Sequence, residues 1–203
     1  MKKIFLVAAA LTAIPSAAMA QDAKPFTGPY VGVLAGWDHV KVSDGSGSAS
    51  KDGVAYGGVL GYDLNLGGAV VGAEAEISGA STKETATNLF TAGDVGEIKA
   101  GRDLYVGARV GAVVTPSILL YAKAGYTNAR ATVDYDDHAG TTFHAADNLN
   151  GFRVGAGAEY SFGRFAARAE YRYSDYGNFK YNGVDTGIDA KRHQIVVTAL
   201  ARF

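Results

Sequence analysis

Ile195-Val196-Val197-Thr198-Ala199-Leu200-Ala201-Arg202-Phe203 closes the sequence on an alternating strand that runs into an aromatic residue. At the opposite end Lys2 and Lys3 precede an apolar stretch, Ile4 to Ile14, and Ala18-Met19-Ala20 forms a small-x-small cleavage site. The pattern predicts a secretory signal peptide over 1–20 and a mature domain over 21–203. The apolar stretch is short of the roughly 20 residues a spanning helix requires. An exported chain that finishes on such a strand is expected in the outer membrane of a Gram-negative cell. In lipid every backbone donor and acceptor must be satisfied internally, so a β-protein spans a bilayer only as a closed barrel.

Punctuation divides the mature chain into eight strand-like runs, near 28–42, 53–66, 69–80, 101–114, 118–135, 150–161, 165–177 and 192–203. Gly67-Gly68, Thr115-Pro116-Ser117 and Phe162-Gly163-Arg164 read as tight hairpin turns. The intervening segments near 43–52, 81–100, 136–149 and 178–191 are longer and polar, and read as loops. Short turns on one side and long loops on the other is the pattern of an outer-membrane barrel with its short turns periplasmic. The fold class expected is therefore all-β, an eight-stranded antiparallel up-and-down transmembrane β-barrel.

Each run carries an apolar parity and a small or charged one. Val71, Ala73, Ala75 and Ile77 alternate with Gly72, Glu74 and Glu76; Phe165, Ala167, Ala169, Tyr171 and Tyr173 alternate with Arg168, Glu170 and Arg172. A soluble sandwich would bury the apolar face and wet the charged one, and periodicity alone does not separate the two cases. The leader, the alternation of connection lengths and Phe203 decide for the barrel, with charges inward. Aromatics near strand ends fit two interfacial belts, Trp37, Tyr56 and Tyr173 towards the loops and Tyr62, Tyr160, Phe165 and Phe203 towards the turns.

The inward parity collects Asp63, Glu74, Glu76, Asp103, Glu159 and Glu170 against Arg109, Lys123, Arg153, Arg168 and Arg172. An eight-stranded bore is just wide enough to be filled by side chains, and buried charges are costly unless paired. A structural ion-pair network that plugs the lumen is expected, in preference to a selective ion path.

Composition excludes other classes. Nineteen Lys and Arg against twenty Asp and Glu, with two lysines in the leader, give no reason to expect nucleic-acid binding. No cysteine is present, so neither disulfides nor thiolate metal sites are available. His39 and His193 fall on the outward parity near strand ends, and His138 and His144 accompany Asp136, Asp137 and Asp147 in the third polar segment. No nucleophile or carboxylate stands at a fixed spacing from them, and no catalytic residue, metal or cofactor is expected. The glycine-rich stretches open no helix and so are not phosphate loops. Ser43 to Ser50 is low in complexity, and Leu89 and Phe90 add apolar side chains to the second polar segment.

Gly57-Gly58-Val59-Leu60-Gly61-Tyr62 followed by Val71-Gly72-Ala73-Glu74-Ala75-Glu76-Ile77 resembles the small porin-like outer-membrane β-barrel family that includes the surface antigens of alphaproteobacteria. So do Ala108-Arg109-Val110-Gly111-Ala112-Val113-Val114-Thr115-Pro116, Gly155-Ala156-Gly157-Ala158-Glu159-Tyr160 and Ala169-Glu170-Tyr171-Arg172-Tyr173-Ser174-Asp175-Tyr176-Gly177. The resemblance covers nearly the whole mature chain. It implies an OmpA-like eight-stranded barrel with a role in envelope integrity or host interaction, and Phe203 as the signal read by the barrel-insertion machinery. The expected function is non-enzymatic, structural in the envelope and interactive at the surface; a narrow diffusion porin and a rim-active lipid-modifying enzyme are the alternatives. Expected partners are outer-membrane lipids and lipopolysaccharide, the insertion machinery, and a host or phage ligand at the loops, with the protein a monomer.

Overall fold

The computed structural model describes residues 25–43, 48–81, 83–87, 95–136, 142–181 and 184–203. The predicted leader, His138, Asp137, Leu89 and Phe90 lie outside the described residues. The described residues form one antiparallel sheet of β1 (Gly28–Ser43), β2 (Ser48–Asn65), β3 (Ala69–Ala80), β4 (Lys83–Thr87), β5 (Val95–Thr115), β6 (Ile118–Asp136), β7 (Thr142–Phe162), β8 (Phe165–Tyr181) and β9 (Val184–Arg202). Strand neighbours follow chain order from β1 round to β9, and β1 pairs with β9 from Tyr30↔Arg202 to Ser43↔Asp189. The sheet therefore closes on itself. β3 and β4 pair in succession with β5 and make up one stave, so the barrel has eight.

The eight predicted runs all form staves, but the staves are longer than predicted at the end opposite the short turns. Much of the four segments read as loops is strand: Ser48–Asn65, Val95–Thr115, Thr142–Phe162 and Val184–Arg202 each reach into them. A tilted strand needs only about 9–11 residues to cross the hydrocarbon, so staves of 18 to 21 residues stand well clear of it. There the lipid-facing parity is no longer held to apolar residues, and Asp185, Asp189 and Lys191 occupy the parity that Ile195 and Val197 hold within the membrane, while the hydrogen-bond ladder continues.

At the other end the connections are tight. Leu66 N–H donates to the carbonyl of Ala69 at 2.7 Å, and the Asn65 side-chain oxygen accepts from the backbone N–H of Gly67 and Gly68, each at 3.0 Å. Both glycines have positive φ, 93° and 120°, which other residues rarely adopt. The end of the chain seals the same rim: Phe203 N–H donates to the carbonyl of Pro29 at 3.0 Å.

The outward parity is apolar, as the alternation requires. Val33, Val54, Leu60, Ile77, Val106, Val110, Phe152, Phe165, Ile195 and Val197 are exposed, and Phe203 is the most exposed large apolar side chain among the described residues at 77%. An apolar surface this continuous would be a liability in water and is what hydrocarbon demands. At the turn end Phe26, Val70, Leu119 and Tyr121 form a buried apolar cluster, with Val113 packed against them. Phe26 reaches this position through a left-handed backbone, φ 60°, and is 1% exposed. Higher up, Tyr105 lies across Gly107 and Gly125, where an added Cβ would collide with its hydroxyl and its ring. Glycine at these two inward positions makes room for the aromatic ring.

Candidate functional site: the charged lumen and the outer rim

Every stave sends at least one charged side chain into the bore. Asp38 comes from β1, Asp63 from β2, Glu74 and Glu76 from β3, Asp103 and Arg109 from β5, and Lys123 from β6. Arg153 and Glu159 come from β7, Arg168, Glu170 and Arg172 from β8, and Arg192 and Arg202 from β9, all of them buried. Seven carboxylates thus meet seven cations. The eleven lumen residues singled out from the sequence are among them. Asp38, Arg192 and Arg202 were missed, although parity marks them: each stands beside an outward residue, Trp37, His193 and Phe203 respectively.

The fourteen are connected without a gap. Towards the turns, Arg202 reaches Asp63 and Glu159, each at 2.7 Å, and Arg109 reaches Glu159 at 3.0 Å and Asp63 at 3.5 Å. Arg168, in the register position opposite Glu159, pairs with it at 3.1 Å and with Glu74 at 2.5 Å. At mid-height the single ammonium of Lys123 bridges Glu76 at 2.6 Å, Glu74 at 2.8 Å and Glu170 at 2.9 Å. Arg172 binds Glu76 at 2.5 Å, and Arg153 links Glu76, at 3.3 Å, to Asp103. Arg192 completes the chain, holding Asp103 at 2.8 Å and Asp38 through Nε at 2.5 Å.

Tyrosines fill the spaces between the charges. The Tyr30 hydroxyl donates to Glu74 at 2.7 Å, that of Tyr121 to Glu170 at 2.5 Å and that of Tyr176 to Asp103 at 3.0 Å. The Arg109 guanidinium lies 4.4 Å from the Tyr121 ring centre, and the Lys123 ammonium 4.8 Å from that of Tyr105. Such contacts suit cations that have left bulk water. Glu159 is approached by three cations, Arg109, Arg168 and Arg202. This is the arrangement that makes a buried carboxylate tolerable.

The two described rim histidines face outward, in the aromatic belt. His39 Nδ1 lies 2.8 Å from Asp52 Oδ1, and its ring stacks on Trp37 at 5.5 Å. His193 Nδ1 lies 2.8 Å from the Tyr171 hydroxyl, and its ring centre is 5.0 Å from that of Tyr173. Among the described residues no three His, Asp or Glu side chains converge as a metal site would require. His144, Asp136 and Asp147 lie on strands, but their side chains are outside the described set.

A closed barrel with an apolar exterior, two aromatic rims and a charged bore defines an outer-membrane β-barrel protein. The sequence matches the family described as outer membrane protein beta-barrel domain over residues 6–203, and the chain belongs to that family. It is similar to the 25 kDa outer-membrane immunogenic protein of Brucella abortus biovar 1, 28% identical over 171 residues that span 82% of this chain and 71% of the relative. The corresponding protein of Brucella canis is 27% identical over 167 residues, with the same shares covered. Among solved structures, Neisserial surface protein A aligns over 87% of this chain and 98% of its own, with a TM-score of 0.55 and 20% identity. The attachment invasion locus protein of Yersinia pestis, in complex with the heparin analogue sucrose octasulfate, aligns over 85% and 99%, with a TM-score of 0.50 and 13% identity. These two show a shared fold. The protein resides in the outer membrane, in contact with its lipids.

Proposed function

We propose that the barrel is a sealed, non-enzymatic scaffold that contributes to the structure of the envelope and acts through its surface-exposed end. The observation that carries this is the connected set of seven buried carboxylates and seven buried cations. Eight staves leave a bore that side chains can fill, and here those side chains tie each stave to others by charge-assisted hydrogen bonds, the stronger kind. An open pore would leave its wall charges hydrated and independent. The wall-to-wall pairs favour a plug.

A surface role accords with relatives whose names record them as immunogenic outer-membrane proteins, and with staves that overshoot the bilayer. The partners of this reading are outer-membrane lipids and lipopolysaccharide, with a host or phage molecule at the outer end. The protein inserts as a monomer, with Phe203 as the feature the insertion machinery reads. Planar-bilayer recording of the refolded protein tests the seal. The expected record is free of steady openings; sustained conductance in the nanosiemens range would establish the diffusion porin instead. Unchanged lipid A mass profiles on deleting the gene are expected for a non-enzyme, and a shifted profile would establish the lipid-modifying alternative.

A further inference from the structure

The outer face of the β9–β1 seam places like charges directly against each other. Across this seam Trp37 stands opposite Ile195, His39 opposite His193 and Lys41 opposite Lys191. All six lie on the outward parity, and both lysines are exposed. Like charges in directly opposed positions of an antiparallel pair are destabilising. Asp175, opposite Lys191 on β8, accepts from the Tyr173 hydroxyl at 3.0 Å and from Gly177 N–H at 2.9 Å and makes no ion pair with the lysine. Asp52 is engaged with His39. Among the described residues neither lysine has a carboxylate partner.

The height of the pair says what lies beside it. Trp37, Tyr171 and Tyr173 belong to the outer aromatic belt, where rings sit at headgroup level. The lysines stand four residues beyond Trp37 on β1 and four beyond Ile195 on β9 in the outward direction. They therefore project at the level of the outer-leaflet headgroups, above a shelf of aromatic and imidazole rings. Each imidazole has its Nδ1 engaged within the barrel wall, which leaves Nε2 for another partner.

We propose that this patch is a binding site for a phosphate-bearing glycolipid headgroup of the outer leaflet, of the lipid A type. The phosphate sits between Lys41 and Lys191 and cancels their repulsion, the Nε2 atoms of His39 and His193 face its sugar hydroxyls, and Trp37, Tyr171 and Tyr173 support the glycolipid from below. The inference rests on the outer-membrane placement of the barrel and is independent of whether the bore conducts.

The test uses the refolded full barrel in uncharged detergent, with native mass spectrometry for affinity and heat-modifiable gel mobility for folding. Bisphosphorylated lipid A, dephosphorylated lipid A and inorganic phosphate serve as probes. Wild type is expected to prefer the bisphosphorylated form. The double variant Lys41→Gln with Lys191→Gln is expected to bind it about tenfold more weakly, equivalent to ~1.4 kcal/mol. In detergent without lipid the same variant should be at least as heat-resistant as wild type, because the repulsion is gone. The paired change Lys41→Arg with Lys191→Arg should retain binding, and Arg164→Gln at the opposite rim should leave it unaltered. Wild-type affinity in the double glutamine variant, loss on Arg164→Gln of the same size, or saturation by inorganic phosphate with no further gain from lipid A would each overturn the proposal.

Discussion

Replacing Lys123 by Met removes a charge from the centre of the bore while keeping most of the side-chain volume. Its ammonium makes three close contacts, to Glu76, Glu74 and Glu170. A charge-assisted hydrogen bond contributes about 1.5–3 kcal/mol, but the three do not add, because each carboxylate keeps another donor. Glu74 retains Arg168, Glu76 retains Arg172 and Arg153, and Glu170 retains the Tyr121 hydroxyl. What remains is one uncompensated negative charge shared among three buried groups. The expected loss is that of breaking a buried pair, about 3–5 kcal/mol. Urea unfolding of the refolded barrel, followed by gel mobility and tryptophan fluorescence, reports it as a lower midpoint at constant slope. Adding Glu76→Gln to Lys123→Met restores neutrality, and the double variant should recover more than ~1 kcal/mol of the loss through coupling of neighbouring sites. In a hydrated pore the single change would cost about 0–1 kcal/mol, as for exposed pairs. A loss below that bound, with no recovery in the double variant, would refute the buried-network account.

Arg168→Ala should lower stability by about 3–5 kcal/mol in the same assay, since the guanidinium serves both Glu74 and Glu159 from a fully buried position. Gly107→Val should cost about 1–3 kcal/mol or more by overpacking against the Tyr105 hydroxyl, and a companion Tyr105→Ala change should recover part of that loss. An epitope inserted at Gly47 or Gly140 should be labelled on intact cells while one at Gly67 or Gly163 should not, as surface antibody binding will show. Deleting Phe203 should cause periplasmic accumulation and degradation, read as loss of heat-modifiable barrel from outer-membrane fractions.

Parity made the wall legible in the sequence. Where aliphatic residues alternate with charges, as in Phe165 to Tyr173, one face has to be lipid and the other bore, and no tertiary information is needed. Legibility faded where the solvent changes. Asp38 and Arg192 stand at the outer rim beside histidines, where the aliphatic signal has given out, and in the extension Val184 to Lys191 charges occupy the parity that is aliphatic lower down the strand. Arg202 was hidden for another reason, inside a terminal run whose apolar members define the strand. The partners were out of reach of any local pattern. Arg192 and Asp38 are 154 residues apart in the chain and Arg202 and Asp63 139 apart, and they meet only because β9 returns to β1. Phe26 lies before the first strand and depends on a left-handed turn that sequence spacing does not encode.

Glu159 answers to cations from three different staves, Arg109 of β5, Arg168 of β8 and Arg202 of β9. A lineage can exchange one lipid-facing valine for leucine in a single step and lose little. It can exchange a bore acid only in company with a base on another strand, as much as 154 residues away in the chain. The inside of the barrel should therefore drift slowly and by compensated pairs, while the outer ends of the staves vary one position at a time. A frame so resistant to piecemeal change can carry a surface that is free to diversify.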